Sequence, residues 1–142
     1  MKKTLRLLIF ATIIVSCKKE NDLSDLKGKI PGIWELRQVI CGECLNPVTN
    51  FAQGNGDMIV FSSDGIFERK IHDSITFKGS YVLQRNKECN KASGDIALLT
   101  NESSTATPPF VQVDADELRL STPYCYADGT TRIYRRVQDL SH

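Results

Sequence analysis

Histidine is scarce in this sequence: only His72 and the terminal His142 are present. A Ser-His-Asp hydrolase needs an imidazole held between nucleophile and acid. His72, followed by Asp73 and Ser74 at a predicted strand end, reads instead as an exposed loop residue. No glycine-rich loop with a following lysine offers a phosphate cradle. Asp114, Asp116 and Glu117 lack the twelve-residue loop and its glycine that a calcium site of that kind requires, and they read as a solvated turn. Net charge is small, +1 over 142 residues, and no basic run stands out. Nucleic-acid affinity rests on phosphate neutralisation, so that class of partner is set aside. These gaps leave no recognisable catalytic site and no cofactor or resident metal, and the expectation is a protein that is not an enzyme.

The chain is 41% hydrophobic and 25% charged, with five prolines and nine glycines. That is the composition of a globular domain, and the length suits one. The first residues differ from the rest. Lys2, Lys3 and Arg6 precede an apolar run from Leu7 to Val15, interrupted only by Thr12. Nine helical residues cover about 14 Å, under half of the hydrocarbon layer, so the run suits an export signal better than a membrane span.

The end of that run, Ile14-Val15-Ser16-Cys17, resembles the signal of bacterial lipoproteins. The resemblance implies that the Cys17 thiol is acylated and that Cys17 becomes the mature N-terminus. Ordinary cleavage, with Cys17 incidental, is the competing reading, but no small-x-small site stands near Ser16. The expected organisation is a signal peptide over 1–16, a polar tether over 17–29 and a folded domain over 30–138. Several acyl chains anchor stably where one binds only marginally. The expected location is therefore the cell envelope, at the outer membrane, with the membrane itself as a partner through the lipid. Losing Lys2, Lys3 and Arg6 takes the basic side chains from 18 to 15 against 17 acids, a balance of −2.

From Ile30 onward no stretch sustains helical apolar spacing, whereas alternation with period two recurs. Ile33 to Ile40 places Trp34, Leu36, Gln38 and Ile40 on one face. Met58 to Phe61 and Ile66 to Ile71 flank Ser62-Ser63-Asp64-Gly65, a hairpin signal. Phe77 to Leu83, Asp95 to Leu99, Phe110 to Val113, Glu117 to Leu120 and Thr131 to Val137 complete eight predicted strands. Short connections and no crossover helix predict an all-β antiparallel up-and-down barrel, with a β-sandwich as the alternative. An interior lined by Leu36, Ile40, Phe67, Phe77 and Tyr81 can be packed solid or can hold one small ligand.

Gly32-Ile33-Trp34, the Asp64-Gly65 hairpin, Lys78-Gly79-Ser80-Tyr81, Glu117-Leu118-Arg119-Leu120 and Arg132-Ile133-Tyr134-Arg135-Arg136 occur in an order that resembles the lipocalin-like domain of bacterial lipoproteins. The likeness covers Gly32 to Val137. It implies that Trp34 packs across the closed end of the barrel beside an arginine of the last strand, Arg132, Arg135 or Arg136. It also implies a small, mostly apolar ligand in the interior. The alternative is an envelope protein that contacts another protein, or inhibits it, without a small ligand.

Beyond Cys17 the sequence holds Cys41, Cys44, Cys89 and Cys125. An even number in an exported domain predicts two disulfides, with three connectivities open. Cys41-x-x-Cys44 also has the spacing of one zinc knuckle or of a redox motif, but neither a second knuckle nor a following helix supports those readings. In barrel order, Cys41, Cys44 and Cys125 share one rim and Cys89 falls at the other. The polar connection Thr100 to Pro109 belongs to the first rim, where Phe51, Phe110, Tyr124 and Tyr126 are candidates to frame a ligand entrance.

Overall fold

The computed structural model describes residues 22–86, 96–101 and 107–137. Among them one antiparallel sheet runs β2-β1-β3-β4-β5-β6-β7-β8-β9 and closes by a further pairing of β1 with β9. The strands are β1 (Gly32–Cys41), β2 (Val48–Asn50), β3 (Asp57–Phe61), β4 (Ile66–Ile71), β5 (Ser74–Arg85), β6 (Ile96–Thr100), β7 (Phe110–Asp114), β8 (Glu117–Ser121) and β9 (Thr130–Arg136). Closure makes the fold an eight-stranded barrel of β1 and β3 to β9, with β2 as an extra strand, and it sets the sandwich aside. Every long edge of the eight-stranded ring is thereby paired, which removes the exposed donors and acceptors of an open sheet.

β2 escapes period-two reading because its three residues are all exposed and show no alternation. It shares one edge of β1 with β3: β3 pairs along Gly32 to Glu35, and β2 along Gln38 to Ile40. Between them the Phe51 amide donates to the Arg37 carbonyl at 2.8 Å, so pairing along that edge is nearly continuous.

The expected inward face of β1 needs correction. Opposite β9, Leu36 pairs with Tyr134 and Gln38 with Ile133, which leaves Arg37 as an extra residue in a β-bulge. One inserted residue reverses the facing of everything after it. Trp34 and Leu36 are buried in the core, but beyond the bulge Val39 packs against it in place of Gln38 and Ile40. Gln38 instead donates from its amide to the Asn50 side chain on the outside, at 2.7 Å. Ile40 is therefore no part of the interior lining. Phe67 is buried as expected, and Phe77 and Tyr81 pack against the core from partly buried positions.

Residues 23–29, placed in the tether by their polarity, form a short helix, α1 (Leu23–Lys29). Asp22 caps it by accepting from the Ser24 amide at 3.0 Å. Seven residues are too few for a helix to persist alone in water, so packing holds it. Leu26 and Ile30 are buried in the same cluster as Trp34, Phe61, Leu83, Ile96, Val111 and Leu118. The helix thus stops one end of the barrel, and the core behind it is solid. Each such fully buried side chain contributes about 1.5–3 kcal/mol relative to exposure.

Tight connections fix the register. Gly65 takes φ +86° in the β3–β4 hairpin, a value that glycine adopts at little cost. The β4–β5 hairpin turns through His72 and Asp73, at φ +47° and +65°. Positive φ at both central residues is the type I′ turn whose twist matches a hairpin.

Candidate functional site

At the end opposite α1 the barrel is open among the described residues. A cavity of about 650 Å³ enters there, lined by residues of β4, β6, β8 and β9 and by Thr107, Pro108 and Pro109. Ligand pockets commonly measure about 300–1,000 Å³. Phe67, Leu98, Leu120 and Tyr134 supply its apolar and aromatic wall, Thr100, Thr122 and Thr130 its hydroxyls, and Arg69 and Arg132 two guanidinium groups.

Strand parity explains the lining. On β9, Thr130, Arg132 and Tyr134 alternate inward while Thr131, Ile133 and Arg135 face out. On β4, Arg69 shares the face of the buried Phe67. On β8, Leu120 pairs with Arg132, and Leu118 with Tyr134. The Thr122 hydroxyl accepts from the Thr130 amide at 3.1 Å and donates to its carbonyl at 3.2 Å, pinning the mouth where β8 and β9 separate.

The three arginines named with Trp34 divide among three surroundings. Arg136 is the one at the closed end: its guanidinium carbon lies 4.1 Å from the Trp34 ring centroid. It also donates to the Pro31 carbonyl at 2.8 Å and to the Lys29 carbonyl at 2.6 Å, so it ties β9 to the end of α1. Trp34 donates its indole N–H to the Ile30 carbonyl at 2.8 Å. Gly32 stands at φ +144°, where a Cβ would come within 2.3 Å of Arg136 Nη1, so the guanidinium occupies the space a side chain would take. Arg135 faces outward and pairs with Glu117 at 2.7 Å. Arg132 lines the cavity.

The four candidate entrance aromatics do not line it among the described residues. Phe51 is half-buried and packs on the core from the end of β2. Phe110 pairs with Ala97 while its neighbour Val111 pairs with Ile96, and of these two pairs only Val111 and Ile96 belong to the core cluster. Phe110 therefore faces outward, where its ring lies 6.0 Å from that of Tyr124. Tyr124 and Tyr126 are exposed on the same rim.

Cys41 and Cys44 are joined to each other, with Cα atoms 5.5 Å apart. Cys125 is also disulfide-bonded. Cys17 and Cys89 lie outside the described residues. The Gly42 amide donates to the Gly129 carbonyl at 3.0 Å, which holds the Cys41–Cys44 loop beside the β8–β9 connection that carries Cys125.

Outer-surface charges form local pairs. Lys78 lies 2.7 Å and Lys70 3.6 Å from Glu68. The hydrogen bond from Lys78 holds the Glu68 carboxyl below its ordinary range, and the same contact raises Lys78. Glu35 is the one buried charged residue among those described, paired with Arg37 at 3.2 Å. The Tyr81 phenol is pushed up by burial, and it donates to the Ser62 carbonyl at 3.0 Å.

Arg69, to which the sequence analysis gave no role, and Arg132, expected there as a candidate beside Trp34, both line this cavity. The available signal was parity, since Arg69 lies two residues from Phe67 on a strand whose inward face was already known. In comparisons with known proteins, no family model, curated protein or solved structure matches this chain.

Proposed function

We propose that this protein is a membrane-anchored, lipocalin-like lipoprotein that binds a small, mostly apolar molecule inside its barrel. The observation that carries the reading is the contrast between the two barrel ends. One is stopped by α1 and a solid core, and the other opens into a cavity of about 650 Å³ with an apolar wall. A barrel of eight strands is wide enough for one such ligand. The anchor rests on the sequence at Cys17, and it places the protein in the cell envelope, at the outer membrane. No step in this function is catalytic and it needs no cofactor.

Native mass spectrometry of the protein purified from its own envelope tests the binding. A retained small molecule, released by organic solvent, is the expected result, and protein that carries none from any preparation contradicts it. Incorporation of labelled palmitate, abolished by Cys17→Ala, tests the anchor separately.

A second reading has its own support. Leu45, Val48, Tyr124 and Tyr126 are exposed around the open end, a set of apolar groups suited to contact with another protein. A protein partner recovered from detergent-solubilised envelope, and lost when Leu45 and Tyr126 are both changed to Ser, would favour that role.

A further inference from the structure

The place of α1 in the barrel bears on how the protein stands on its membrane. Strand direction defines the two ends. β1 begins at Gly32 and β9 finishes at Arg136 at the end stopped by α1, where Arg136 reaches the Lys29 and Pro31 carbonyls. The cap of the helix, Asp22, belongs to that end too. Its carboxyl is held below the ordinary value by hydrogen bonds from Ser24 and, to a smaller degree, by the guanidinium of Arg85, the last residue of β5. Arg85 pairs with Ile96, which is buried in the core behind α1. The cavity mouth, with Thr122 and Thr130, lies at the other end of the same strands.

In sequence, four residues separate Cys17 from Asp22. Even fully extended, the chain between them reaches at most about 18 Å. β1 has ten residues, and such a strand measures about 33 Å, of which a tilt of roughly 40° leaves about 25 Å along the barrel axis. An acyl anchor at Cys17 therefore cannot bring the mouth to the headgroups while α1 stays packed at the far end. The end that it does bring to the membrane is polar. On α1, Ser24, Asp25, Lys27 and Lys29 are exposed and Leu26 is buried. Lys18 to Lys29 holds four lysines against Glu20, Asp22 and Asp25. Among the described residues Val137 is the one large apolar side chain exposed beside this end, whereas Leu45, Val48, Tyr124 and Tyr126 are exposed around the mouth. A polar end of this kind rests on headgroups, because insertion below them requires a broad apolar face.

Resting on the acylation of Cys17 in the reading above, we propose that the barrel stands on its closed end. The polar face of α1 lies against phospholipid headgroups, and the cavity mouth points away from the membrane that holds the anchor. A ligand then enters from the aqueous side and not directly from the anchoring bilayer.

The test uses the lipidated protein purified from its own envelope and reconstituted into phospholipid nanodiscs in which part of the lipid carries a nitroxide on its headgroup. A nitroxide broadens nearby amide resonances, and the effect falls steeply with distance. Relative to the same sample with the nitroxide reduced, the amides of Ser24, Lys27 and Gly28 should lose most of their intensity, and those of Leu45, Thr122 and Tyr126 should keep theirs. The comparison needs no substitution, so it does not depend on a variant that folds. Loss at Leu45 and Tyr126 with α1 spared overturns the orientation. Loss at both ends, as for a barrel lying on its side, overturns it as well, and so does loss at neither end in protein that stays on the disc. These three outcomes leave the anchor standing. Protein that carries no acyl group and does not associate with the discs overturns the orientation together with the anchor reading beneath it.

Discussion

The guanidinium of Arg136 stacks on the ring of Trp34 at 4.1 Å, joining the last strand of the barrel to the first. Its two hydrogen bonds to the Lys29 and Pro31 carbonyls extend the contact to the helix that stops the barrel. The contact therefore holds three segments that are distant in sequence, and its loss should be felt globally.

Arg136→Ala removes a cation–ring contact of about 0.5–2 kcal/mol and two charge-assisted hydrogen bonds. A loss of about 3 kcal/mol is expected in urea unfolding. Arg136→Lys keeps the charge but cannot reach both carbonyls with a rigid fork, and it should fall between the two. An alanine variant within 0.5 kcal/mol of the parent, roughly the spread of ordinary surface substitutions, would show that the contact does not stabilise the barrel.

Stability should depend on pH through the Glu68–Lys78 pair in a defined sense. The folded-state Glu68 carboxyl lies below its ordinary value of 4.5. Its contribution is therefore full above that value and is lost as pH falls through the lowered one. Lys78 is raised above 10.5, so its contribution is full below that value and is lost as pH rises through the raised one. Unfolding midpoints of the parent and Glu68→Gln should differ by a constant amount between the two windows and converge beyond either. A gap that keeps growing below the carboxylate window would contradict the assignment.

The Cys41–Cys44 bridge closes a loop of only a few residues. Chain-entropy reasoning assigns such a loop about 2 kcal/mol. The double variant Cys41→Ser with Cys44→Ser should lose about that much and keep the barrel's far-ultraviolet spectrum, because the bridge lies at the rim, outside the core. A helical or unfolded spectrum would contradict this placement.

The β4–β5 turn holds His72 and Asp73 at positive φ. Replacing the pair by Asn-Gly supplies residues that adopt those angles more readily. Thermal unfolding should shift upward by an amount equivalent to about 1 kcal/mol. A lowered midpoint would mean that the His72 side chain makes a contact worth more than the backbone relief.

Eight strands were legible because each buries one face, so Ile59 and Phe61 or Leu118 and Leu120 announce themselves by spacing two apart. The bulge was not legible. Leu36-Arg37-Gln38-Val39-Ile40 places an aliphatic residue on either phase, and only the register against β9 selects Val39. β2 was invisible because Val48, Thr49 and Asn50 bury nothing. Phe110 looked like an entrance aromatic from its loop, but pairing with Ala97 turns it outward. The cavity's arginines were masked by the expectation that inward residues are apolar, although Phe67-Glu68-Arg69 already fixed the facing of Arg69.

The most direct test of the open cavity as a ligand site uses a neutral apolar fluorophore, N-phenyl-1-naphthylamine. It is compared in the parent and in Thr130→Trp, where a large ring is placed at the mouth. The Thr122–Thr130 bonds use the Thr130 backbone and survive this change. Saturable binding of one probe per parent molecule, abolished in a Thr130→Trp variant with an unchanged unfolding midpoint, is the predicted result. Equal probe binding by both proteins, or none by the parent, would contradict it.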